Sequence, residues 1–503
     1  MHTHFPTTTK LGNLDQGRMT VVNDWRGRHV LVIGAARQGM ALARYLATHG
    51  AEVILNDRLP ENELRGAQQS LKMENVQWIC GGHPLSLLDG VDLVCLSGGI
   101  SLNLPIVLEA QKRGIFLSND SQIFMEEVPC PVIGITGSAG KTTTTTLVGR
   151  IAQAAVEIHE NNNPSTPIRP AYQSFPAKIW VGGNIGSPLI AMVDQMVADD
   201  LAVMELSSFQ LEIMNRSPEV AAILNITPNH LDRHANMDAY RMAKARILDF
   251  QSFADIAVLN RDDPGSWSLV NHVRGDIVTF GRQRLASGQT GTFISDDGKA
   301  LLLQSIENGK ERVRIVLASQ DIGLRGEHNL YNVLAAAAIA FAAGLPIEAV
   351  VAGVKGFFGV PHRMEFIRTW GGADWFNDSI ATAPERSIAA IQSFEEPLIL
   401  LAGGRDKNLP WENFARLVAR RVKHLILFGE SADKIAQAMI TYAPVSKVKI
   451  THCSNLFQAV QAASKVISPG DVVLFSPGGT SFDEFRDFED RGEAYKKWVM
   501  ELP

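Results

Sequence analysis

Residues 131–151 combine an apolar run, a glycine-rich turn and a helical pattern, in that order. The apolar run predicts a buried strand, and the segment that starts at Lys141 has apolar residues at helical spacing. A strand, a glycine-rich loop and a helix N-terminus make up the P-loop, in which backbone N–H groups and the helix dipole surround phosphate oxygens. In such a loop Lys141 supplies a cation and Thr142 a hydroxyl for Mg²⁺. The predicted phosphate-binding residues are Gly137, Gly140, Lys141, Thr142 and Thr143.

The glycine spacing of this loop departs from the usual P-loop pattern. Gly134 lies one residue too early, and Gly137 interrupts the loop. An ordinary tight turn is therefore the alternative that the loop by itself leaves open. Polar residues elsewhere in the chain favour the nucleotide site over the tight turn.

Length and composition restrict the class of protein. The chain has 503 residues, which is too long for one hydrophobic core and suggests about three domains. Its 46% hydrophobic and 20% charged residues are typical of a globular protein. The formal charge of −6 and the lack of a long basic run argue against nucleic-acid binding. No apolar stretch reaches membrane-spanning length, and four scattered cysteines favour a reduced, cytoplasmic protein without membrane association.

Short apolar runs alternate with helical patterns along most of the chain. This alternation predicts an α/β fold with parallel, doubly wound sheets. Residues 1–22 are predicted to be a loose polar extension, and residues 160–178 to include a proline-rich surface loop. The predicted domains are residues 23–119, 120–359 and 360–503.

The first predicted strand is followed by a turn, residues 34–39, that resembles a dinucleotide fingerprint with alanine at the middle glycine. Asp57 follows at the distance expected of the acid that binds a ribose. These residues leave open an NAD oxidoreductase, a packing turn without a ligand, or another nucleotide-like ligand at this sheet. Residues 97–99 form a second turn of a size that suits a phosphate.

Glu205 and His230 each follow an apolar run in the same predicted domain as the P-loop. Because open α/β sheets bind ligands at the carboxyl ends of strands, a carboxylate and an imidazole there could each hold an Mg²⁺ ion. The structural alternatives are a helix-capping acid for Glu205 and a loop histidine for His230. Lys244 by itself is most simply a solvated helix lysine. Beside two Mg²⁺ ions its ammonium would be repelled, so a functional role requires carbamylation to an anion.

Ten short motifs occur in an order that resembles the Mur ligase family. They include Gly-Ile-Thr-Gly-Ser-Ala-Gly-Lys-Thr-Thr at 134–143, Glu-Leu-Ser-Ser-Phe-Gln-Leu at 205–211 and Ser-Pro-Gly-Gly-Thr-Ser-Phe-Asp at 476–483. The other seven lie at 182–186, 229–234, 240–244, 328–332, 361–363, 377–382 and 402–407. The resemblance covers about residues 25–500, and the family's early P-loop glycine accounts for the unusual spacing. Ten ordered motifs are far more specific than any single one, because short motifs produce false positives.

The resemblance implies three domains: an N-terminal Rossmann-like domain for a UDP-sugar, a central P-loop ATPase-type domain and a C-terminal Rossmann-like domain for an amino acid. It implies an ATP-dependent amide ligase that adds D-glutamate to UDP-N-acetylmuramoyl-L-alanine in cytoplasmic peptidoglycan-precursor synthesis. The implied reaction uses ATP and two Mg²⁺ ions and passes through an acyl phosphate and a tetrahedral intermediate. The implied enzyme is a monomer that acts on small molecules.

The motifs also carry the family's site residues to positions of this chain. The implied catalytic residues are Lys141, His230 and Lys244. The implied metal ligands are Thr142, Glu205, His230 and carbamylated Lys244. The implied ATP contacts beyond the P-loop are Asn329, Asn332, Arg363 and Asp378. The implied UDP-sugar contacts are Gly34, Ala35, Ala36, Arg37, Asn56, Asp57, Arg58, Ser97, Gly98 and Asn184. The implied glutamate contacts are Thr382, Lys407, Ser481 and Phe488.

One position departs from the family's pattern. The D-glutamate branch commonly has lysine where this chain has Ile380, and this change removes a cation near the substrates. A related ligase that adds L-glutamate is therefore an alternative within the family. A P-loop ATPase without ligase activity is an alternative outside it, although such a protein has no use for Lys407 and Ser481.

Overall fold

The computed structural model describes residues 24–161, 176–184, 186–228, 233–324 and 326–503. The predicted extension at 1–22, most of the predicted loop at 160–178 and the candidate metal ligand His230 lie outside the described residues. The chain divides into two compact units, residues 1–357 and 358–503. The finer division into three domains at the predicted boundaries stays a prediction. None of the helices in the described ranges is both long and apolar enough to cross a membrane.

The first sheet of the larger unit contains five parallel strands within the described chain, in the order β3-β2-β1-β4-β5. The strands are β1 (His29–Ile33), β2 (Glu52–Asp57), β3 (Val76–Cys80), β4 (Leu93–Leu96) and β5 (Phe116–Ser118). The helices are α1 (Arg37–Thr48), α2 (Glu61–Ser70), α3 (Pro105–Lys112) and α4 (Asp120–Glu127). The strand order reverses between β1 and β4, which is where a doubly wound sheet opens a crevice for a ligand. The turns at 34–37 and 97–98, predicted to bind the UDP-sugar, follow these two strands.

The second sheet of the larger unit has the order β14-β13-β12-β11-β10-β9-β6-β8-β7 in the described ranges, with the last two junctions toward β14 antiparallel and the others parallel. Its strands are β6 (Val132–Thr136), β7 (Ile179–Gly183), β8 (Leu201–Glu205), β9 (Val220–Ile223), β10 (Ile256–Asn260), β11 (Asp276–Phe280), β12 (Gly291–Ile294), β13 (Ala300–Glu307) and β14 (Lys310–Ala318). The helices are α5 (Lys141–Asn161), α6 (Ser208–Leu211), α7 (Met237–Asp249), α8 (Pro264–Trp267), α9 (Glu327–Ala342) and α10 (Ile347–Val354).

The interior strand β6 lies between β8 and β9, and all five of its residues are buried. Val132, Ile133 and Ile135 are all 0% exposed. A parallel strand covered on both faces reads as a continuous apolar run, which is the pattern that predicted it. Burial of each such side chain stabilises the fold by about 1.5–3 kcal/mol, so the packing of β6 fixes the position at which the following loop begins.

The smaller unit is a third α/β sheet, with the order β15-β16-β20-β17-β18-β19 in its described residues. The strands are β15 (Glu365–Trp370), β16 (Ala373–Asn377), β17 (Leu398–Gly403), β18 (Val422–Phe428), β19 (Lys449–His452) and β20 (Val472–Gly478). The helices are α11 (Pro384–Gln392), α12 (Glu412–Arg421), α13 (Ala432–Tyr442), α14 (Leu456–Ser464) and α15 (Phe488–Met500). Only β15 in this part of the structure runs antiparallel to its neighbour. The predicted α/β fold class is confirmed.

Buried polar side chains connect the start of α4 to α6 within the larger unit. Asn119 caps α4 by accepting a hydrogen bond from Gln122 N at 2.7 Å, and its Nδ2 donates to the Gln210 carbonyl at 2.9 Å. Gln210 Nε2 donates to Ser121 Oγ at 2.6 Å. Asp120 is 3% exposed here, and burial raises its pKa to about 7 although neighbouring amides and Gln210 lower it. The buried environment therefore favours the protonated form of the Asp120 carboxyl group more than water does.

Replacing Asp120 by asparagine is expected to remove a pH dependence of stability. Because the folded chain raises the pKa from 3.8 to about 7, this group favours folding most at low pH and loses that contribution as the pH rises across this interval. The loss is on the order of 4 kcal/mol, since one pKa unit corresponds to about 1.4 kcal/mol. Melting temperatures between pH 4 and 8 measure it, with Asp296→Asn at an exposed turn as the matched control. Equal slopes for native chain and Asp120→Asn would contradict this expectation.

Candidate functional site

The loop after β6 is held in shape by Asn225, which follows the neighbouring strand β9. Ala139 N donates to Asn225 Oδ1 at 2.8 Å, and Asn225 Nδ2 donates to the Ala139 carbonyl at 3.0 Å. Ser138 N also donates to the Asn225 carbonyl at 2.9 Å. The sequence motifs do not single out Asn225. Its place directly after an apolar strand, in the same domain as the P-loop, is the signal that could have identified it.

Gly140 brings the loop against helix α9. Its φ is +83°, and a Cβ at this position would lie 2.2 Å from Asn332 Oδ1. Asn332 Oδ1 accepts a hydrogen bond from Thr144 Oγ1 at 3.4 Å, and Asn332 Nδ2 donates to Asn329 Oδ1 at 3.0 Å. The two asparagines that the motifs implied for ATP binding therefore lie beside the predicted phosphate-binding loop.

Two lysines converge on one carbonyl of this loop. Lys141 Nζ and Lys244 Nζ each donate to the Gly137 carbonyl at 2.9 Å. Lys244 is 1% exposed, and its Nζ lies 4.8 Å from the centre of the Tyr240 ring. Burial, and then repulsion from Lys141, lower the pKa of Lys244 well below its usual range, while Glu205 acts in the opposite direction. The neutral amine, which is the form that reacts with CO₂, is therefore a larger fraction of Lys244 than of an exposed lysine at the same pH.

Glu205, the last residue of β8, lies against the first turn of α5. Thr142 Oγ1 donates to Glu205 Oε2 at 2.9 Å, and Asn184 Nδ2 donates to Glu205 Oε1 at 3.0 Å. A hydroxyl and a carboxylate are hard oxygen donors of the kind that Mg²⁺ prefers, so this pair fits an ion bound to nucleotide phosphates. Across the described ranges, no group of three or more His, Cys, Asp or Glu side chains could hold a metal. The partner that the motifs implied for the second ion, His230, is outside those ranges.

A cavity of about 460 Å³ lies beside the loop, within the usual size range of small-molecule sites. Its lining residues are Ala139, Gly140, Leu224, Asn225, Thr227, Asn260, Asp262, Asp263, Phe280, His328, Tyr331 and Asn332. Tyr331 OH donates to Asp262 Oδ2 at 2.9 Å, and burial together with this carboxylate raises the pKa of Tyr331 to about 12. The sequence motifs implied a contact role for Gly140 and Asn332 but for neither Asp262 nor Phe280.

The turn after β1 is built from backbone groups and the carboxylate of Asp57. Ala35 N donates to Asp57 Oδ2 at 2.7 Å. Gly34 has a φ of +99°, and a Cβ there would lie 2.9 Å from Ser97 Cβ. Gly98, which follows Ser97, is half-buried next to this turn. These five residues, each implied for UDP-sugar binding, are therefore brought together at one end of the first sheet.

Asn56 is engaged differently from the other residues implied for the UDP-sugar. It is 0% exposed, and its Nδ2 donates to the Ile79 carbonyl at 2.9 Å and to the Gly82 carbonyl at 2.7 Å. Its Oδ1 lies 2.5 Å from His83 Nδ1. The side chain therefore joins β2 to the loop after β3. Of the other residues implied for this site, Ala36, Arg37 and Arg58 are exposed, and Asn184 lies at Glu205 in the second sheet.

In the smaller unit, the buried carboxyl of Asp378 lies within electrostatic range of Arg363. Ser476 Oγ donates to Asp378 Oδ2 at 2.8 Å, and Met364 N donates to Asp378 Oδ1 at 3.3 Å. Burial raises the pKa of Asp378 to about 7, and these hydrogen bonds and the Arg363 charge offset part of the rise. The structure thus places the two implied ATP contacts of this unit near each other.

The residues implied for glutamate lie in loops of the smaller unit. Lys407 is exposed, and the neighbouring Asp406 accepts a hydrogen bond from Trp411 Nε1 at 3.1 Å and pairs with Lys434. These contacts hold the loop that carries Lys407. Ser481, by contrast, is 2% exposed.

Ile380 occupies the position at which the D-glutamate branch of the family commonly has lysine. Arg386 Nη1 donates to the Ile380 carbonyl at 3.2 Å, so an exposed guanidinium lies against this segment. Thr382 N donates to the same carbonyl at 2.9 Å. Ser379 Oγ donates to the carbonyl of Phe488 at 2.8 Å. The segment with Ile380 is thus tied to two of the residues implied for glutamate.

Arg491 in α15 is a buried cation that joins two of these loops. It is 0% exposed, and burial lowers its pKa to about 10. Its Nε donates to Ser379 Oγ at 3.0 Å and its Nη2 to the Ser379 carbonyl at 2.8 Å. Its Nη1 donates to the Gly479 carbonyl at 3.1 Å. A Cβ at Gly404 would lie 2.9 Å from Nη1, so the glycine gives the guanidinium its space.

Three family models match successive parts of the chain. They are the MurD-like N-terminal domain of Mur ligases at residues 28–118, the Mur ligase middle domain at 135–340 and the Mur ligase glutamate ligase domain at 362–479. A solved structure of UDP-N-acetylmuramate-alanine ligase MurC from Thermotoga maritima has a TM-score of 0.49 and 18% identity. That likeness covers 94% of this chain and 99% of the other.

Curated relatives match over almost the whole chain. A UDP-N-acetylmuramoylalanine–D-glutamate ligase from Symbiobacterium thermophilum is 38% identical over 94% of this chain and 97% of its own length. A ligase of the same name from Pelotomaculum thermopropionicum is 37% identical over 96% of this chain and 99% of its own. Because the identity is this high over nearly the full length of both chains, the chain belongs to the Mur ligase family.

Proposed function

We propose that this enzyme uses ATP to join D-glutamate to UDP-N-acetylmuramoyl-L-alanine. The observation that carries the proposal is the contact of Thr142 with Glu205 at a loop that also holds Lys141, in a chain whose relatives are named for this reaction. The relatives do not favour a P-loop ATPase without ligase activity or an NAD oxidoreductase. The cytoplasmic location and the monomeric state stay predictions from the sequence.

The loop residues suit the first half of the reaction. The substrate carboxylate attacks the γ-phosphorus of ATP, and the bond from that phosphorus to the β,γ-bridging oxygen breaks. ADP departs, and the substrate becomes an acyl phosphate. The attack requires one anion to approach another. Lys141 and the backbone N–H groups at the start of α5 would bind the phosphate oxygens and so offset the repulsion between them and the carboxylate. Thr142 and Glu205 would hold Mg²⁺, which when bound offsets the charge of the phosphates. The cavity lined by Phe280 would take the adenosine.

The second half of the reaction forms the amide bond. The neutral amine of glutamate attacks the acyl carbonyl, giving a tetrahedral intermediate that loses inorganic phosphate and the amine's proton. In the smaller unit, Lys407 would bind a glutamate carboxylate, since a charge-assisted contact is stronger than a neutral one. Thr382, Ser481 and Phe488 would complete this subsite. Arg363 and Asp378 stay predicted ATP contacts.

A second Mg²⁺ with His230 and carbamylated Lys244 is the finer part of the proposal. It is supported by the position of Lys244, which reaches the Gly137 carbonyl from inside the protein. An ammonium so close to Lys141 is unfavourable, whereas a carbamate would be attracted by that cation.

Phosphate release tests the proposed function. Release from ATP should require UDP-N-acetylmuramoyl-L-alanine and D-glutamate together, and the product should be the glutamyl amide. L-Glutamate in the same assay tests the alternative that Ile380 raised. If neither form of glutamate stimulates release, the enzyme is not a glutamate ligase.

Lys407→Ala should raise the KM for glutamate by about tenfold, which corresponds to about 1.4 kcal/mol of binding free energy. The KM values for ATP and the UDP-sugar should change little, because the lysine would contact only the amino acid. Lys465→Ala, an exposed lysine after α14, is the matched control and should leave all three constants unchanged. An unchanged KM for glutamate in Lys407→Ala would remove Lys407 from the glutamate subsite.

A further inference from the structure

Five side chains of the larger unit form a continuous stack. The Arg233 guanidinium carbon lies 4.9 Å from the centre of the Phe209 ring. Phe209 and His234 are stacked with ring centres 5.3 Å apart and planes 4° from parallel. The centres of His234 and Tyr240 are 5.0 Å apart. Lys244 Nζ lies 4.8 Å from the centre of the Tyr240 ring. We call these five residues the aromatic stack.

The two ends of the aromatic stack lie at different predicted substrate sites. At one end, Arg233 Nη2 donates to the Gly99 carbonyl at 3.1 Å, in the turn that follows β4. At the other end, Lys244 Nζ donates to the Gly137 carbonyl in the P-loop. The Gly99 turn adjoins the implied UDP-sugar contacts, and Gly137 belongs to the implied ATP site. The stack therefore links the two sites through side chains in direct contact.

The central ring of the stack has a polar side chain close to each of its nitrogens, and one of these two contacts is a hydrogen bond. His234 Nε2 lies 3.0 Å from Ser208 Oγ, and His234 Nδ1 lies 3.0 Å from Glu212 Oε1. His234 is 3% exposed, so its ring has little freedom to rotate. Ser208 begins helix α6, three residues after the implied metal ligand Glu205. A movement of His234 would therefore act on α6 as well as on Tyr240.

Packing alone does not explain the outer end of the stack. Arg233 is exposed, so its guanidinium covers Phe209 without contributing to a core. A cation over an aromatic face adds about 0.5–1 kcal/mol at an exposed site, and here it also orients the donor toward the Gly99 carbonyl. Tyr240 OH lies 3.1 Å from Ser138 Oγ, which attaches the inner end of the stack to the P-loop a second time.

We propose that Phe209 and His234 are positioning residues that couple UDP-sugar binding at the Gly99 turn to the placement of Lys244 at the P-loop. The inference rests on the proposed function. A substrate at the turn would hold the Gly99 carbonyl and Arg233 in one arrangement, and the stack would pass this constraint to Lys244. Coupling of this kind is reciprocal, so ATP bound at the loop would favour UDP-sugar binding by the same factor.

Calorimetric titration of the full-length enzyme tests this coupling without turnover. The probe is UDP-N-acetylmuramoyl-L-alanine, titrated with and without a non-hydrolysable ATP analogue and Mg²⁺. In the native enzyme the analogue should tighten UDP-sugar binding by about tenfold. In Phe209→Leu, which keeps an apolar side chain without a ring, the tightening should fall below about twofold. Each ligand should still bind alone with near-native affinity.

Two further variants separate a positioning role from a structural one. Phe209→Tyr keeps the ring and should keep the coupling. Arg233→Lys keeps the charge at an exposed position but loses the planar group, so it should weaken the coupling even if Phe209→Leu fails to fold. Phe253→Leu, at a phenylalanine that is 86% exposed, is the matched control and should behave as the native enzyme.

Native coupling in both Phe209→Leu and Arg233→Lys would overturn the inference, as would a native enzyme that shows none. A failure of glutamate to stimulate phosphate release would instead overturn the proposed function. The two failures are therefore distinguishable.

Discussion

Lys244→Ala is expected to reduce ligation by about 10³-fold, because it removes both an implied metal ligand and the charge that would offset Lys141. Carbamylation of the native side chain is a balanced step. The neutral amine nitrogen attacks CO₂, an N–C bond forms, the π bond of one C=O breaks to give a carboxylate, and the nitrogen releases one of its two protons to solvent. The buried position of Lys244 and its lowered pKa favour the neutral amine that this step requires.

Rescue by small carboxylic acids is the measurement that identifies the carbamate. In Lys244→Ala, added formate or acetate can enter the space left by the side chain and supply a carboxylate, so phosphate release should recover in part. Lys310→Ala, at the exposed start of β14, is the matched control and should neither lose activity nor respond to the acids. Full activity of Lys244→Ala would exclude the role, and a loss that no acid rescues would assign Lys244 to packing.

Glu205→Gln is expected to lower turnover by about 10²-fold or more, the usual cost of removing one strong electrostatic stabiliser. The amide keeps the size of the side chain and can still accept the Thr142 hydroxyl hydrogen bond. Asn184, which is exposed, can turn its amide to accept from the new NH₂ group, so the fold should be preserved. What it loses is the negative charge that would hold Mg²⁺ beside the phosphates. Turnover measured over a range of Mg²⁺ concentrations should show a higher requirement for the metal.

Glu348→Gln, in the exposed first turn of α10, is the matched control for this measurement. It should match the native enzyme at every Mg²⁺ concentration. A loss of less than about tenfold in Glu205→Gln at saturating Mg²⁺ would leave Glu205 with a structural role only.

The buried strands could be predicted from the sequence because apolar side chains occupy most positions in them. The predicted P-loop strand, for example, matches β6. The strand β15 was not predicted. It is an antiparallel strand at the edge of its sheet, in which no residue is buried, and its sequence has no continuous apolar run.

In the candidate site, residues that belong to one local motif could be predicted, and residues that the fold brings together from distant positions could not be assigned in the same way. Lys141 and Thr142 could be predicted because a single loop and helix start carry their chemistry. Asn225 and Asp262 belong to no motif, and the sheet brings them to the loop from distant positions in the chain. For Asn225 the only signal in the sequence is its place after an apolar run. The aromatic stack could not be predicted from the sequence either, because its contacts depend on how α6 and α7 pack against each other.

The burial of Arg491 limits how this chain can vary during evolution. Its guanidinium satisfies the carbonyls of Ser379 and Gly479, and lysine, with fewer donors and no planar fork, cannot replace all three contacts. A lineage that lost Arg491 would have to refill its space and repair two separate loops at once. Gly404 is constrained as well, because its φ is +94° and a Cβ there would lie 2.3 Å from the Thr480 carbonyl oxygen and 2.9 Å from the guanidinium. Arg491 and the Ser379 hydroxyl that it contacts should therefore be inherited together, whereas the backbone carbonyls of Ser379 and Gly479 leave those contacts open to other residues.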